Sequence, residues 1–292
     1  MLIGREKEIA ELEEVFQSDE AELVAVYGRR RVGKTYLINE VFHDRFVFTH
    51  AGLSPVEVND NTKITNKRMK EQLLHFYQSL ILNGLKPTKK PTSWLEAFYL
   101  LETLLIQKDD GKRQVVFLDE IQWMDTPKSG FITGLEAFWN SWACKRHNLM
   151  IIVCGSSTSW ILDKLINNHG GLYDRVTKQI HLKAFDLCET EKYLVSQGYE
   201  IVETNFRNRR GEIDIIAKEA EYLCFIEVKY RRDRQCGDPL EAVDYRKQKN
   251  IVQTALYYMM KNGLNEWTPC RFDVVSVCGG QVRVIKNAFE GV

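Results

Sequence analysis

The sequence lacks the features that mark membrane, secreted and zinc-binding proteins. It has no apolar run of the roughly 20 residues that a membrane-spanning helix needs. Its first residues lack the basic-then-apolar pattern of a secretory signal. The seven cysteines are odd in number and no two have Cys-x-x-Cys spacing, so we expect neither a disulfide framework nor a zinc site. These absences predict a cytoplasmic protein with reduced thiols and no membrane partner.

An excess of charge of either sign is also missing. Lysine and arginine together number 40, as do aspartate and glutamate, so the net charge indicates no class of partner. A surface for nucleic acid would have to come from local clustering of basic residues. At 292 residues the chain is longer than an average domain, which predicts two domains.

Residues 28–35 read Gly-Arg-Arg-Arg-Val-Gly-Lys-Thr and fit the phosphate-binding loop G-x-x-x-x-G-K-[ST]. The apolar run 23–27 before it predicts a buried parallel strand, and 36–42 after it predicts a helix. This order directs backbone N–H groups and a helix N-terminus at one anion. A glycine turn beside a solvated basic run is the alternative, which the flanking elements disfavour. We expect ATP with Mg²⁺ here, and the candidate binding residues are Gly28, Arg31, Gly33, Lys34 and Thr35.

A second part of a nucleotide site follows at 114–120, where an apolar run ends in Asp119 and Glu120. The pattern is typical of the Walker B strand. Asp119 at the strand end is expected to hold Mg²⁺ through water, and Glu120 is the candidate catalytic residue that orients the attacking water. Four apolar residues before two acids are common by chance, so the phosphate loop upstream carries this interpretation.

Together, residues 1 to about 186 resemble the prokaryotic AAA+/STAND-like ATPases, whose loop reads Tyr-Gly-Arg-Arg-Arg-x-Gly-Lys-Thr. The resemblance implies that Ser156 or Ser157, at the tip of strand 149–154, senses the γ-phosphate; a plain helix N-cap is the alternative. It also makes Arg175 a nucleotide-binding candidate. That family continues into a helical lid, whereas here one helix is followed by strands. We therefore expect ATP hydrolysis to be slow or absent without a partner.

A second constellation lies on the predicted hairpin of strands 212–217 and 222–229. Glu227 and Lys229 are two residues apart on one strand, so their side chains leave the same face, and Asp214 on the neighbouring strand can face the same side. Two carboxylates make an oxygen-rich site suited to Mg²⁺ or Mn²⁺, and a lysine can hold water or stabilise developing charge. The alternative is the charged outer face of an ordinary hairpin.

This Asp…Glu-x-Lys arrangement is that of restriction-endonuclease-like nucleases. The motifs 210–214, 225–229 and 246–248 closely resemble the YraN family over roughly residues 188–285. The resemblance implies a fold similar to Holliday-junction resolvases, with Gln248 as a weaker catalytic candidate. That family usually has Gly-Glu where this chain has Asp186 and Leu187. If that glutamate completes the metal site, either Glu189 or Glu191 substitutes for it here or the site is weakened.

Basic residues surround the proposed carboxylates. Such runs are usually solvated faces, but beside a phosphodiester-cleaving site we expect them to neutralise DNA phosphates. The candidate DNA-binding residues are Arg207, Arg209, Arg210, Arg231, Arg232 and Lys247.

The sequence thus predicts an α/β protein with a P-loop parallel-sheet ATPase domain at 1–187 and a restriction-endonuclease-like α/β domain at 188–292. The leading hypothesis is a Mg²⁺-dependent DNA endonuclease, acting on branched or single-stranded DNA, whose cleavage responds to the nucleotide. A non-cleaving DNA-binding module attached to an ATP switch is one alternative, and an ATPase with an inactive C-terminal graft is the other. Assembly into a homo-oligomer is compatible with each.

Overall fold

A computed structural model of the chain describes residues 4–54, 64–167, 172, 174–183, 185–231, 243–265, 267–278 and 281–290. The chain divides into two compact units. The first comprises Lys7–Arg30 and Lys34–Lys183, and the second comprises Met1–Glu6, Arg31–Gly33 and Ala184–Val292. The surface loop expected at 52–66 lies mostly outside the described residues. None of the helices in the described ranges has the length and apolar character needed to cross a membrane.

The first unit is built on a parallel five-stranded sheet with the strand order β2-β3-β4-β1-β5. The predicted parallel P-loop sheet is therefore confirmed. Its elements in chain order are α1 (Glu6–Phe16), β1 (Glu22–Tyr27), α2 (Lys34–Phe42), β2 (Phe46–Ala51), α3 (Ile64–Leu82), α4 (Trp94–Gln107), β3 (Gln114–Asp119), α5 (Phe131–Ser141), β4 (Leu149–Gly155), α6 (Thr158–Ile161) and β5 (Lys178–His181).

The apolar runs become central strands because both faces of this sheet are covered. Every residue of β3 and β4 is buried, which is why these strands read as continuous rather than alternating apolar runs. Trp94, Phe98 and Phe131 pack ring against ring between α4 and α5. Strand β4 lies between β1 and β3, so the end of β4 adjoins both the phosphate loop and the Walker B acids.

Two helices of this unit are shorter than expected. The apolar pattern predicts helices over 131–147 and 158–167, but α5 ends at Ser141 before a separate 3₁₀ turn, Ala143–Lys145. The α-helical part of the second helix is the four residues of α6, and one π-helical turn, Leu162–Ile166, continues it. The apolar spacing of a helix does not distinguish these tighter or wider turns from α-helix.

The second unit contains a mixed five-stranded sheet with the order β10-β9-β8-β7-β6. Strands β8 and β9 are parallel, and the other neighbours are antiparallel. Helix α8 lies between β8 and β9 in the chain and so belongs to the connection that parallel strands require. The elements are α7 (Leu187–Ser196), β6 (Glu200–Arg207), β7 (Glu212–Glu219), β8 (Tyr222–Arg231), α8 (Tyr245–Lys261), β9 (Cys270–Cys278) and β10 (Gln281–Phe289).

Two apolar clusters make up the core of this unit. One joins the apolar face of α8, including Ile251 and Tyr258, to Phe206 of β6 and Phe225 of β8. The other joins Leu194 of α7 to a separate set of residues from β7, β8 and β9. Successive side chains of a strand point to opposite faces of the sheet. The two clusters therefore lie on opposite faces, one covered by α8 and the other by α7.

The structure corrects two boundaries in this unit. The sequence predicts a short strand at 199–203 and a basic turn over 205–211, but β6 runs on to Arg207. It does so because Phe206 is buried and pairs with Ile213 of β7, which leaves the turn at 208–211. The long helix expected from residue 238 begins at Tyr245, after the N-cap residue Asp244, whose carboxylate accepts a hydrogen bond from the N–H of Lys247. Residues 238–242 lie outside the described residues.

Candidate functional site

The phosphate loop has the backbone that an anion cradle requires. Gly28 has a φ of 151°, and a Cβ atom there would lie 2.1 Å from the carbonyl oxygen of Leu182, so no other residue fits without moving the backbone. Arg31 and Gly33 also have positive φ angles, 65° and 90°. The buried Lys34 ammonium donates to the carbonyl oxygens of Gly28, at 2.9 Å, and Arg29, at 2.8 Å. The loop therefore closes around the ammonium ion.

Thr35 and Asp119 meet beside this loop. The Thr35 hydroxyl donates to Asp119 Oδ2 at 2.7 Å, and Asp119 Oδ1 accepts the N–H of Glu120 at 2.8 Å. The sequence predicts both residues as Mg²⁺ ligands, and the strand order brings them together across 84 positions of sequence. One hydroxyl and one carboxylate form a hard oxygen pair of the kind that Mg²⁺ prefers, so the donors fit that ion.

Two side chains, those of Gln122 and Ser156, hold the carboxylate of Glu120. Glu120 has a left-handed backbone, with φ 46°. Its Oε2 accepts hydrogen bonds from the Ser156 hydroxyl, at 2.8 Å, and from the side-chain amide of Gln122, which also donates to Ser156 at 3.1 Å. Ser156 thus lies with the Walker B glutamate, while Ser157 is the N-cap residue of α6 and makes no side-chain cap bond.

Gln122 is a site residue that the sequence reasoning missed. It lies in the 3₁₀ turn Ile121–Trp123 directly after the two acids, and this turn brings its amide back to Glu120. A polar residue between two apolar ones, directly after the two acids, is the sequence signal that could have identified it. Arg175, by contrast, makes a local contact: its N–H donates to the Leu172 carbonyl at 3.1 Å and its side chain is exposed. The described contacts do not bring it to the phosphate loop.

The second constellation centres on a buried carboxylate. Glu227 is 3% exposed, and its Oε1 accepts from the ammonium groups of Lys229, at 2.6 Å, and Lys247, at 3.2 Å. Its Oε2 is also buried and has no hydrogen-bond partner among the described residues. The sequence places Glu227 and Lys229 on one face of β8, as found; the second lysine arrives from α8. Such a buried orphan oxygen is costly unless a donor or cation meets it.

Asp214 lies on β7 beside this glutamate. Its Oδ2 accepts the backbone N–H of Val228 at 2.7 Å, just beyond the last paired residues of the β7–β8 ladder, Ile215 and Ile226. Burial, with a smaller contribution from the negative charge of Glu227, raises the pKa of Asp214 above its usual value. The two carboxylates therefore share one electrostatic environment, which a divalent cation would stabilise.

Glu189 does not complete this pair as a third acid. Its carboxylate accepts the N–H of Asp186 at 2.9 Å in a capping box that begins α7, and it lies 3.4 Å from Arg5. Across the described ranges, no group of three or more His, Cys, Asp or Glu side chains gathers as a metal site. Neither Glu189 nor Glu191 therefore joins Asp214 and Glu227 as a third acid, and Glu189 instead serves the start of the helix.

Four of the predicted DNA-binding residues line one open cleft of about 430 Å³, namely Arg207, Arg209, Arg210 and Lys247. Lys247 also contacts Glu227, so it joins this cleft to the carboxylate pair. Gln248 donates its amide to the Val243 carbonyl at 2.8 Å. The side chain of Arg231 and all of Arg232 lie outside the described residues. The catalytic and binding roles of these residues remain predictions.

Comparison with known proteins agrees with both halves of the sequence reading. Residues 2–218 match a family model described as an ATPase domain predominantly from Archaea, and residues 189–277 match one described as uncharacterised protein family UPF0102. The UPF0102 protein of Lachnoclostridium phytofermentans is 52% identical over 102 residues, 35% of this chain and 86% of that protein. That of Acetivibrio thermocellus is 49% identical over 108 residues, 34% of this chain and 82% of that protein.

Among solved structures, a Walker-type ATPase of Pyrococcus abyssi matches with a TM-score of 0.44 and 22% identity, over 67% of this chain and 57% of that one. The Aeropyrum pernix ORC2 protein, in its ADPNP–ADP complexes, matches with a TM-score of 0.46 and 14% identity, over 68% of this chain and 52% of that one. The chain spans little more than half the length of these two structures. It belongs to the ATPase family through residues 2–218 and to UPF0102, the YraN family, through residues 189–277.

Proposed function

We propose that this protein is a metal-dependent DNA endonuclease whose activity responds to the nucleotide bound by its ATPase domain. The single observation that carries the nuclease part is the environment of Glu227. The charged outer face of an ordinary hairpin would leave this carboxylate in water, whereas Glu227 is buried and one of its oxygens has no partner among the described residues. Removing a carboxylate from water is costly, so a fold that does so beside Asp214 and two lysines is organised around that charge.

In the proposed reaction, Asp214 and Glu227 hold a divalent cation, Mg²⁺ or Mn²⁺. When bound, the cation supplies an acidified water and stabilises negative charge on the phosphate. Lys229 acts on the attacked phosphodiester: its ammonium, now on Glu227, can donate instead to the water or to a phosphate oxygen as charge develops there. Lys247 stands between the carboxylates and the basic cleft, where it can meet the neighbouring phosphate.

The nucleotide part rests on the arrangement of Lys34, Thr35 and Asp119. Lys34 is placed to exchange its two carbonyl partners for phosphate oxygens of ATP, and Thr35 and Asp119 would hold Mg²⁺. Lys34→Ala is expected to abolish the thermal stabilisation that millimolar ATP gives the full chain. A wild-type chain that shows no such shift would contradict nucleotide binding.

Hydrolysis of that ATP is expected to be slow. Glu120, which should orient the attacking water, already accepts from Ser156 and Gln122, and after β5 the described chain runs through α7 into the strands of the second unit rather than into a helical lid. A nucleotide site that no helical lid closes admits water and holds the γ-phosphate loosely. Steady turnover of about 1–10 per second by the purified protein alone would contradict this expectation.

The nuclease test uses Mn²⁺ with labelled junction and flap DNA. Asp214→Asn keeps the shape of the side chain but removes its charge, so metal affinity and cleavage should fall while DNA binding is kept or strengthened. Lys229→Ala should lower the cleavage rate and keep metal binding. Glu200→Gln, which changes an exposed carboxylate on β6, is the matched control and should cleave like the wild type.

A specific observation favours one second candidate, the non-cleaving DNA-binding module. The charge of Glu227 is already paired with two lysines, and the described residues supply no third acidic ligand. If titration with Mn²⁺ finds no site that depends on both Asp214 and Glu227, while DNA still binds, the domain is a binding module.

A further inference from the structure

The C-terminal half of α8 borders an open groove of about 800 Å³ in the second unit, which we call the α8 groove. Its lining combines the last residue of β6 and the basic turn after it with exposed side chains of the helix: Arg207, Arg209, Arg210, Tyr257, Met260 and Lys261. All the charged residues of the lining are basic. A lining that combines apolar and aromatic side chains with charges of one sign predicts a polyanion that also carries flat apolar surface.

The basic side of the groove is a turn whose conformation is held by hydrogen bonds. The Asn208 side-chain oxygen accepts the N–H groups of Arg210, at 2.7 Å, and Gly211, at 3.0 Å. It also accepts the Thr254 hydroxyl of α8 at 3.4 Å. A Cβ at Gly211 would lie 3.1 Å from that hydroxyl, so the turn packs closely on the helix. Arg209 and Arg210 are thereby held at the surface with their side chains exposed.

The aromatic side of the groove is an exposed tyrosine with a rigid support. Tyr257 is 45% exposed although it lies on a helix with a well-buried opposite face. Behind it lies the buried ring of Phe206, with the two centroids 6.4 Å apart and the planes inclined by 29°. Phe206 in turn packs edge-on against Tyr258 at 5.0 Å. The Tyr257 ring is therefore supported on one side and available on the other.

One face of α8 connects this groove to the carboxylate pair. Lys247 and Asn250 line the smaller cleft, and Gln253, Tyr257 and Met260 line the α8 groove, a spacing of three or four residues that repeats along one helix face. The arginines of the turn line both. At about 1.5 Å per residue, Tyr257 lies about 15 Å along the helix from Lys247, which contacts Glu227.

We propose that the α8 groove binds a single-stranded segment of the DNA substrate, with an unpaired base stacked on Tyr257 and its phosphates on the arginines of the turn. Bases in a duplex already stack on one another and do not offer a face to a side chain, whereas single strands are bound by basic grooves with aromatic platforms. A second copy of this chain that presented the same groove would bring the cations of one copy against those of the other. This inference rests on the proposed function, because it assigns the groove to the same DNA substrate. It predicts that the protein prefers DNA with an unpaired arm beside the cleavage site.

The test measures binding of the full-length chain in EDTA, so that no cleavage is required. Fluorescence anisotropy compares labelled oligo(dT), an abasic strand of equal length and a duplex of equal length. Tyr257→Ala is expected to weaken oligo(dT) binding about 5- to 100-fold, the effect of losing one base–aromatic stack, and to leave the abasic strand unaffected. Tyr257→Phe should retain wild-type affinity. Tyr245→Ala removes an exposed tyrosine of the same helix that does not line the groove, and should have no effect.

Several results would overturn the proposal. One is an unchanged affinity of Tyr257→Ala for oligo(dT), and another is an equal loss on the abasic strand. A third is dependence on Tyr257 for oligo(U) but not for oligo(dT), which would assign the groove to RNA. A dimer in sedimentation that Tyr257→Ala dissociates, with oligonucleotide binding intact, would assign it to a second copy. Because binding is measured in EDTA, an absence of cleavage activity leaves this measurement interpretable.

Discussion

His50 of β2 should make the ATPase unit sensitive to acid. It is 4% exposed, its ring packs against those of Phe48 and Phe76, and it pairs in the sheet with Leu118, next to the Walker B aspartate. The Ser79 hydroxyl donates to the His75 carbonyl at 3.2 Å, so it accepts from His50 Nδ1 at 2.8 Å. His50 Nε2 is then the site that would take a proton, and it is buried with no partner among the described residues.

The size of the expected loss of stability follows from the lowered pKa of His50. Burial, with a smaller contribution from His75, lowers the pKa of His50 from 6.5 to about 3. Between these values the unfolded chain binds a proton at this residue and the folded chain does not, so stability is full above pH 6.5 and falls as the pH drops towards 3. At pH 5 the loss is about 2 kcal/mol, from about 1.36 kcal/mol for each pH unit.

Urea unfolding at pH 7 and pH 5, followed by tryptophan fluorescence, measures this loss. Five of the six tryptophans lie in the first unit, so the signal reports mainly on it. His50→Phe removes the titrating group, and the Ser79 hydroxyl keeps its His75 partner. This variant should lose about 2 kcal/mol less than the wild type between the two pH values, whereas His43→Gln, at an exposed histidine, should match the wild type. An equal loss in His50→Phe and wild type would refute the reasoning.

Three further predictions concern the loop, the second core and the DNA surface. Gly28→Ala forces a Cβ to 2.1 Å from the Leu182 carbonyl, so it should destabilise the first unit by roughly 3 kcal/mol or more and remove the ATP-induced shift, both measured by thermal unfolding. Arg271→Leu leaves the fully buried Asp273 without its cation and should cost about 3–5 kcal/mol in urea unfolding. The affinity for single-stranded DNA should fall with salt at a log–log slope of roughly −3 if four cations contact phosphates, and a flat response would contradict the basic surface.

The sequence was most informative where one strong local pattern coincides with an element. The apolar runs before Gly28 and before Glu120 became β1 and β3 because both sheet faces are buried, which removes the alternation that a half-exposed strand would show. The two-residue spacing of Glu227 and Lys229 placed both side chains on one face by strand geometry alone. The α/β class and both family resemblances are accordingly confirmed.

What escaped prediction depends on residues far apart in the chain or on turns without periodicity. Lys247 reaches Glu227 from a helix twenty positions later, and no local pattern specifies that distance. The amide of Gln122 meets Glu120 through a 3₁₀ turn and a left-handed residue, which apolar spacing does not encode. Glu189 is suitable in type for a metal, yet the capping box and the pairing with Arg5 explain it fully as a structural residue.

The segment shared by the two families explains why the chain reads as two proteins joined without a linker. Both family models include residues 189–218, although from Glu200 onward this segment is strand in the sheet of the second unit. Helix α7 can belong to either the ATPase sequence or the UPF0102 sequence, because its own ends stop it: a capping box begins it and Gly198, with φ 92°, follows it. Such a helix needs only one apolar face, which Leu194 supplies to the core of the second unit. The ATPase sequence can therefore pass into the UPF0102 sheet within one helix.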